Sequence, residues 1–183
     1  MGELRCKGLM LKNRAALLGE QCDAETELHP RLSAELRDGL AYGRIVSGGW
    51  YPIAWLRELH RAGTEATGRG EDLAWELGSE GARRNFKTVH RVFLSVLSPS
   101  AILKRAPRVF GAYFDGGRYE VTRADSNAAT IEISECPGFD IHTWQAIAGT
   151  AHAVLEMCGA KDVQTAVQPA PGLARGTLSA TWR

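Results

Sequence analysis

The 183-residue chain reads as an α+β protein in which helices pack on one face of a small, mostly antiparallel sheet. Two observations carry that reading. Up to about residue 115 the apolar residues recur at helical spacing, whereas after "DGG" they alternate with polar ones in "RYEVTRA" and "ATIEIS". One long helical pattern and two more alternating segments then close the chain. The whole is expected to form a single domain over 1–183, with N-terminal helices over about 9–115 and the hairpin, long helix and two final strands over about 116–183.

Each element has its own local reason. Leu9, Met10, Ala16 and Leu17, with Lys12 and Arg14 between them, predict a short amphipathic helix ending near Gly19. In "RLSAELRDGL", Ser33 is placed to cap a short helix that carries Leu36 and Leu40 and stops around Gly39. "YGRIV" reads as extended. In "RIVSGGWYPIAWLRELHRAG", Gly48 and Gly49 let the backbone turn, and Pro52 suits a first helical position, where its missing N–H has no intrahelical partner to lose. Ile53, Leu56, Leu59 and His60 follow at helical spacing with Trp55 beside them; Arg57, Glu58 and Arg61 are left to solvent, and Gly63 is the expected stop.

A further helix begins near Glu71 or Asp72 and carries Leu73, Trp75, Leu77, Ala82 and Phe86, with a break expected near Gly78 or Gly81. "FKTVHRVFLSVLSP" predicts another, ended by Pro99. Ser98 caps a fourth over Ile102, Leu103, Val109, Phe110 and Tyr113, bent at Pro107. Tyr119, Val121, Ile131 and Ile133 share one side of a hairpin joined by "ADSNA". "DIHTWQAIAGTAHAVLEMCGAK" is the clearest helix, apolar along Ile141, Trp144, Ile147, Ala148, Ala151, Val154, Leu155 and Cys158 and stopped by Gly159. "KDVQTAVQ" and "GTLSATWR" are the last two strands.

The totals exclude several function classes. A net charge of +1 gives no general attraction for nucleic acid or an acidic membrane, and no segment approaches the roughly 20 apolar residues of a membrane span. Cys6, Cys22, Cys136 and Cys158 form no CxxC pair, so neither a zinc knuckle nor a disulfide framework is expected, and a reducing cytoplasm is. No Ser has the flanking glycines of a nucleophile elbow. His29, His60, His90, His142 and His152 stand singly, without the helical pairing of metal ligands.

Two groups of residues remain as candidates. Trp50, Tyr51, Trp55, His90, Tyr113 and Trp144 are candidate ligand-binding residues; for the aromatics the competing reading is that they anchor the core. Arg83, Arg84, Lys87 and Arg91, around His90, are a candidate patch for an anion or an acidic partner; the competing reading, and the commoner one for such a group, is a solvated cationic helix face.

The segments "GWYP", "VHRVFLSVLSPSAILKRAPRVFGAYFDGGRYEV", "LEMCGAK" and "GTLSATWR", in that order, give a resemblance over about residues 8–183. The chain resembles a bacterial branch of the heme-NO-binding-like, vinyl-reductase-like and TRAPP-like superfamily. Its most specific parts are Trp50-Tyr51-Pro52, Ser98-Pro99, Arg105-Ala106-Pro107, Phe114-Asp115-Gly116-Gly117 and Cys158-Gly159-Ala160-Lys161, none of them a catalytic signature. The resemblance implies a helical layer over a twisted antiparallel sheet, often dimeric, with small molecules or partner proteins bound between the two. It also implies that "WYP" is a corner seating Trp50 and Tyr51 under the following helix.

Heme-binding relatives use a proximal His and a Tyr-x-Ser-x-Arg pattern. Here Tyr119-Glu120-Val121-Thr122-Arg123 has Val121 in the Ser position, so neither heme nor another cofactor is expected. Where other relatives carry cysteines this chain has Gln164, Thr165, Ala166 and Leu178, which weakens the case for zinc or iron. The expectation is a non-enzymatic cytoplasmic module, sensory or regulatory, that binds a small apolar ligand or a protein partner and forms a homodimer through its helical layer. The alternatives are a TRAPP-like scaffold subunit with a filled interior, and a metal-dependent sensor or enzyme using His90, His142 or His152 with a cysteine.

Overall fold

The computed structural model describes residues 3–85 and 98–183, the side chain of Ser100 apart, so the helix expected over "FKTVHRVFLSVLSP" lies almost wholly outside the described residues. Strand β1 (Arg5–Lys7) leads directly into α1 (Gly8–Leu18). Helix α1 buries Leu11, Leu17 and Leu18, and with them Arg14, which is only 4% exposed. Helix α2 (Ala34–Ala41) runs past Gly39. The Ser33 side chain before it makes no cap; its hydroxyl donates to Glu58 at 3.0 Å, tying the helix start to the next long helix.

Trp50–Pro52 is a strand, β2, paired antiparallel with β1 so that Cys6 faces Tyr51 and Lys7 faces Trp50. Helix α3 (Ile53–Thr67) therefore starts after Pro52, and the Ile53 N–H donates to the Leu4 carbonyl at 3.0 Å. Gly63 does not stop this helix. A Cβ there would lie 2.5 Å from a Leu18 methyl, so Gly63 lets α3 approach α1; the helix ends at Gly68, whose φ of +68 suits glycine.

Helix α4 (Glu71–Asn85) is unbroken across Gly78 and Gly81. In place of one bent helix after Ser98 there are two, α5 (Pro99–Leu103) and α6 (Ala106–Tyr113), with the Ser98 hydroxyl accepting from the Ala101 N–H at 3.3 Å and Pro107 in the first turn of α6. Strands β3 (Arg118–Ala124) and β4 (Ala128–Ser134) form the expected hairpin. Helix α7 (Ile141–Met157), capped by the Asp140 side chain, precedes β5 (Gln164–Pro169) and β6 (Gly176–Thr181).

The four long strands form one antiparallel sheet in the order β3-β4-β6-β5. Its register aligns Val121, Ile131, Leu178 and Val167 in a row across all four strands, on the face that receives the helices. Helix α7 lies against β5, where the Thr165 hydroxyl donates to the Ala148 carbonyl at 3.0 Å. Its Trp144 is fully buried, packs edge-on against Phe139 at 5.3 Å, and donates its indole N–H to the Leu173 carbonyl at 2.9 Å.

Burial separates the tryptophans energetically. Trp144→Ala is expected to cost about 3–5 kcal/mol, because it empties a close-packed site and orphans a carbonyl. Trp50 is half-buried, with the Lys7 ammonium 3.7 Å above its ring, so Trp50→Ala is expected to cost only about 1 kcal/mol. Urea denaturation of both variants checks the contrast, and equal losses would contradict it.

Candidate functional site

A cavity of about 160 Å³ lies between the helices and the sheet. Its walls are largely apolar, with Met10 of α1, Leu56 of α3, Ile102 of α5, Phe110 of α6 and Leu178 of β6 among them. The space exists because α4 and α7 present Gly78, Gly81, Ala82 and Ala146 toward it, residues too small to fill it.

Most polar groups on the wall are already engaged. Asn13 donates to the Asn85 side-chain carbonyl, and the Tyr113 phenol, raised by burial, is hydrogen-bonded to Asn85 as well. The Thr143 hydroxyl donates to the Asp140 cap at 2.6 Å, and that of Thr150 donates to the Ala146 carbonyl at 2.8 Å.

Arg14 is different. Its Nη1 donates to the Leu77 carbonyl, its Nε has no partner, and it borders the cavity. Burial lowers its pKa to about 10, which still leaves it charged at pH 7. The nearby Cys6 thiol offers no compensating charge, since burial pushes it up to about 12. Behind Arg14, His60 of α3 is 1% exposed with both ring nitrogens unpartnered, and its ring meets that of His142 edge-on at 6.5 Å. Burial, then the Arg14 charge and His142, holds His60 well below the usual imidazole range, so it is neutral.

Neither Arg14 nor His60 was a candidate from sequence. A signal was present for Arg14, because Leu11, Arg14 and Leu18 follow the i, i+3, i+7 spacing of one helix face. The two histidines converge only through the packing of α3 and α7.

Of the sequence candidates, Tyr113 lines the cavity. Trp144 stands in the core, held by Leu173. Trp50, Tyr51 and Trp55 cluster elsewhere: Tyr51 stacks on Trp55 at 5.5 Å, and its hydroxyl accepts from the Val46 N–H at 2.9 Å. All three are half-buried, so the corner does not seat Trp50 and Tyr51 beneath α3; β2 carries them beside it as a strand. Arg83 is paired with Glu156 at 2.7 Å and Arg84 with Glu20 at 2.6 Å, so the two described cations of the patch already have anionic partners. His90, Lys87 and Arg91 lie outside the described residues. Among the described residues no group of three His, Cys, Asp or Glu side chains is placed to hold a metal, and no helix is long and apolar enough to cross a membrane.

A family model described as "Protein of unknown function (DUF2378)" matches residues 21–183. No curated protein matches the sequence. Among solved structures, the Fe(II) unliganded H-NOX protein from K. algicida is similar with a TM-score of 0.73, 11% identity, and coverage of 97% of this chain and 96% of that one. An oxygen-binding H-NOX domain related to soluble guanylate cyclases is similar with a TM-score of 0.65, 13% identity, and coverage of 96% and 92%. The fold is thus of the heme-NO-binding type.

Proposed function

The chain belongs to the DUF2378 family, and from the cavity between its helices and sheet we propose that it is a sensory or regulatory module that binds a small apolar ligand there. The observation that carries this is the open, apolar interior at Met10, Leu56, Ile102, Phe110 and Leu178. A scaffold subunit of TRAPP-like kind would fill that space with side chains. The oxygen-binding H-NOX domain of the same fold gives a precedent for a small ligand in such an architecture. The module acts without chemistry of its own, as a homodimer that signals through a changed protein contact. A cytoplasmic setting suits its four free thiols.

The described residues do not fit a heme. Heme iron is held in proteins by an imidazole, a thiolate, a phenolate, or a thioether beside an imidazole; the described lining offers no imidazole or thiolate, and burial keeps its two phenols, Tyr113 and Tyr119, protonated. Arg123, in the place of the Arg of the Tyr-x-Ser-x-Arg pattern, is exposed and paired with Asp125 at 2.7 Å instead of facing inward. The cavity is also of single-ring size, since an engineered cavity of about 150 Å³ binds one benzene, whereas a porphyrin is several times larger.

Benzene is therefore the first probe. Titration followed by methyl NMR is expected to shift Met10, Leu56, Ile102 and Leu178 together and saturably, and Ala82→Leu, which fills the cavity, is expected to abolish the shifts. Absence of saturable shifts in the wild-type protein would overturn the proposal. Native mass spectrometry of freshly purified protein reads the subunit number and any retained ligand in the same sample.

A further inference from the structure

We infer that the ligand of this cavity carries a carboxylate: the site is built for a small apolar carboxylic acid, about one ring in size, whose carboxylate pairs with the Arg14 guanidinium while its body lies among Met10, Leu56, Ile102 and Phe110. The inference rests on the reading of the cavity as a ligand site. It begins from a charge without a counterion. Arg14 is 4% exposed, and no carboxylate is among the groups that act on it electrostatically. A guanidinium has five N–H donors, and the bond from Nη1 to the Leu77 carbonyl satisfies one of them.

A purely structural arginine would be expected to pair with an acid or to cap several carbonyls, because an uncompensated buried ion is strongly disfavoured. Here the fold makes room for the charge instead. Gly81 sits where any Cβ would come within 2.4 Å of Nη1, so α4 gives up a side chain to let the guanidinium lie against it. The neighbours of Arg14 add no negative charge: the Cys6 thiol is protonated, and His60 is a neutral imidazole. The chain thus holds one positive charge beside an apolar space.

The chemistry selects among ligands. A neutral hydrocarbon leaves the cation uncompensated. A phosphate monoester, carrying nearly two negative charges at pH 7, would exceed the single cation and leave excess charge against apolar walls. One carboxylate matches the charge and the forked geometry of the guanidinium. An aromatic or a short aliphatic acid supplies that group equally, so benzoate and hexanoate are the two probes.

Calorimetric titration of the wild-type protein and of Arg14→Met with benzoate, hexanoate and benzene tests this. In the wild type at least one of the two acids is expected to bind tighter than benzene, and Arg14→Met is expected to weaken that acid about 10- to 100-fold while benzene stays within about threefold. Preference for benzoate points to an aromatic acid and for hexanoate to an aliphatic one. Should Arg14→Met fail to fold, Gly81→Ala serves, since it displaces the guanidinium from α4 and is expected to weaken the acids selectively. Benzene binding without acid binding, or equal loss of all three ligands in the variant, would overturn the inference and leave the cavity reading standing. No binding of any of the three to the wild-type protein would remove both.

Discussion

Gly149→Val is expected to remove the cooperative unfolding transition altogether, and Gly149→Ala to cost about 3 kcal/mol or more. Helices α4 and α7 cross with their backbones in contact. A Cβ at Gly149 would stand 1.9 Å from the Trp75 carbonyl oxygen and 3.0 Å from the Ser79 nitrogen; one at Gly78 would stand 2.0 Å from the Ala146 carbonyl oxygen. The obstacles are main-chain atoms, so no rotamer change relieves the clash. The helices would have to separate, loosening the burial of Leu77 and Ala148 and widening the cavity wall at Gly78 and Ala146. Since a domain is stable by only about 5–15 kcal/mol, a loss of this size with one methyl leaves little margin for Val. Gly111→Ala is the control: it is helical and exposed, with nothing within 4 Å, and is expected to be neutral or to stabilise by up to about 1 kcal/mol. Circular dichroism during urea denaturation reads all three variants. A Gly149→Ala loss within about 1 kcal/mol would show that the crossing is looser than its geometry.

The second large effect is on pH dependence. The folded-state pKa of His60 is depressed, by burial first and then by Arg14 on α1 and His142 on α7. In the unfolded chain the imidazole titrates near its ordinary value of about 6.5. Above that pH both states leave His60 neutral, and its contribution to stability is fully present. Below it the unfolded chain binds a proton that the native site refuses, so stability falls as pH drops, by up to about 1.4 kcal/mol per pH unit until the folded pKa is reached. His60→Leu removes this linkage. Between pH 7 and pH 5.5 the stability of the variant relative to wild type is expected to rise by about 1 kcal/mol. Parallel stability profiles for the two proteins would show that the buried ring takes up its proton freely.

Much of the secondary structure was legible because its causes are local. The pattern from Ile141 to Cys158 announced α7 to within a residue, with Asp140 ahead of it and Gly159 behind. The alternation in "RYEVTRA" and "ATIEIS" announced the hairpin. The misreadings share one cause. In sequence Gly63, Gly78 and Gly81 look like breaks, because glycine weakens an isolated helix; each sits instead where another segment comes close, Leu18 at the first, Ala146 at the second and Arg14 at the third. Pro52 looks like a helix start, because a proline before an apolar period commonly is one, yet pairing with Arg5 makes it the end of a strand.

The candidate site was less legible than the fold. Aromatic residues often line pockets; here Trp144 is consumed by the core, while Tyr51 and Trp55 line a separate, shallower hollow with Ala34, Gly39 and Arg44. Tyr113 alone among the described candidates reaches the cavity. Apolar spacing is a property of neighbouring residues, so the sequence by itself determined the fold class, the hairpin and the long helix. Whether Arg14 loses its water, whether His60 meets His142, and whether small residues on α4 and α7 leave a space between them depend on segments distant in the chain closing over one another. Burial and electrostatics act through that closure, and the tertiary structure alone decided them.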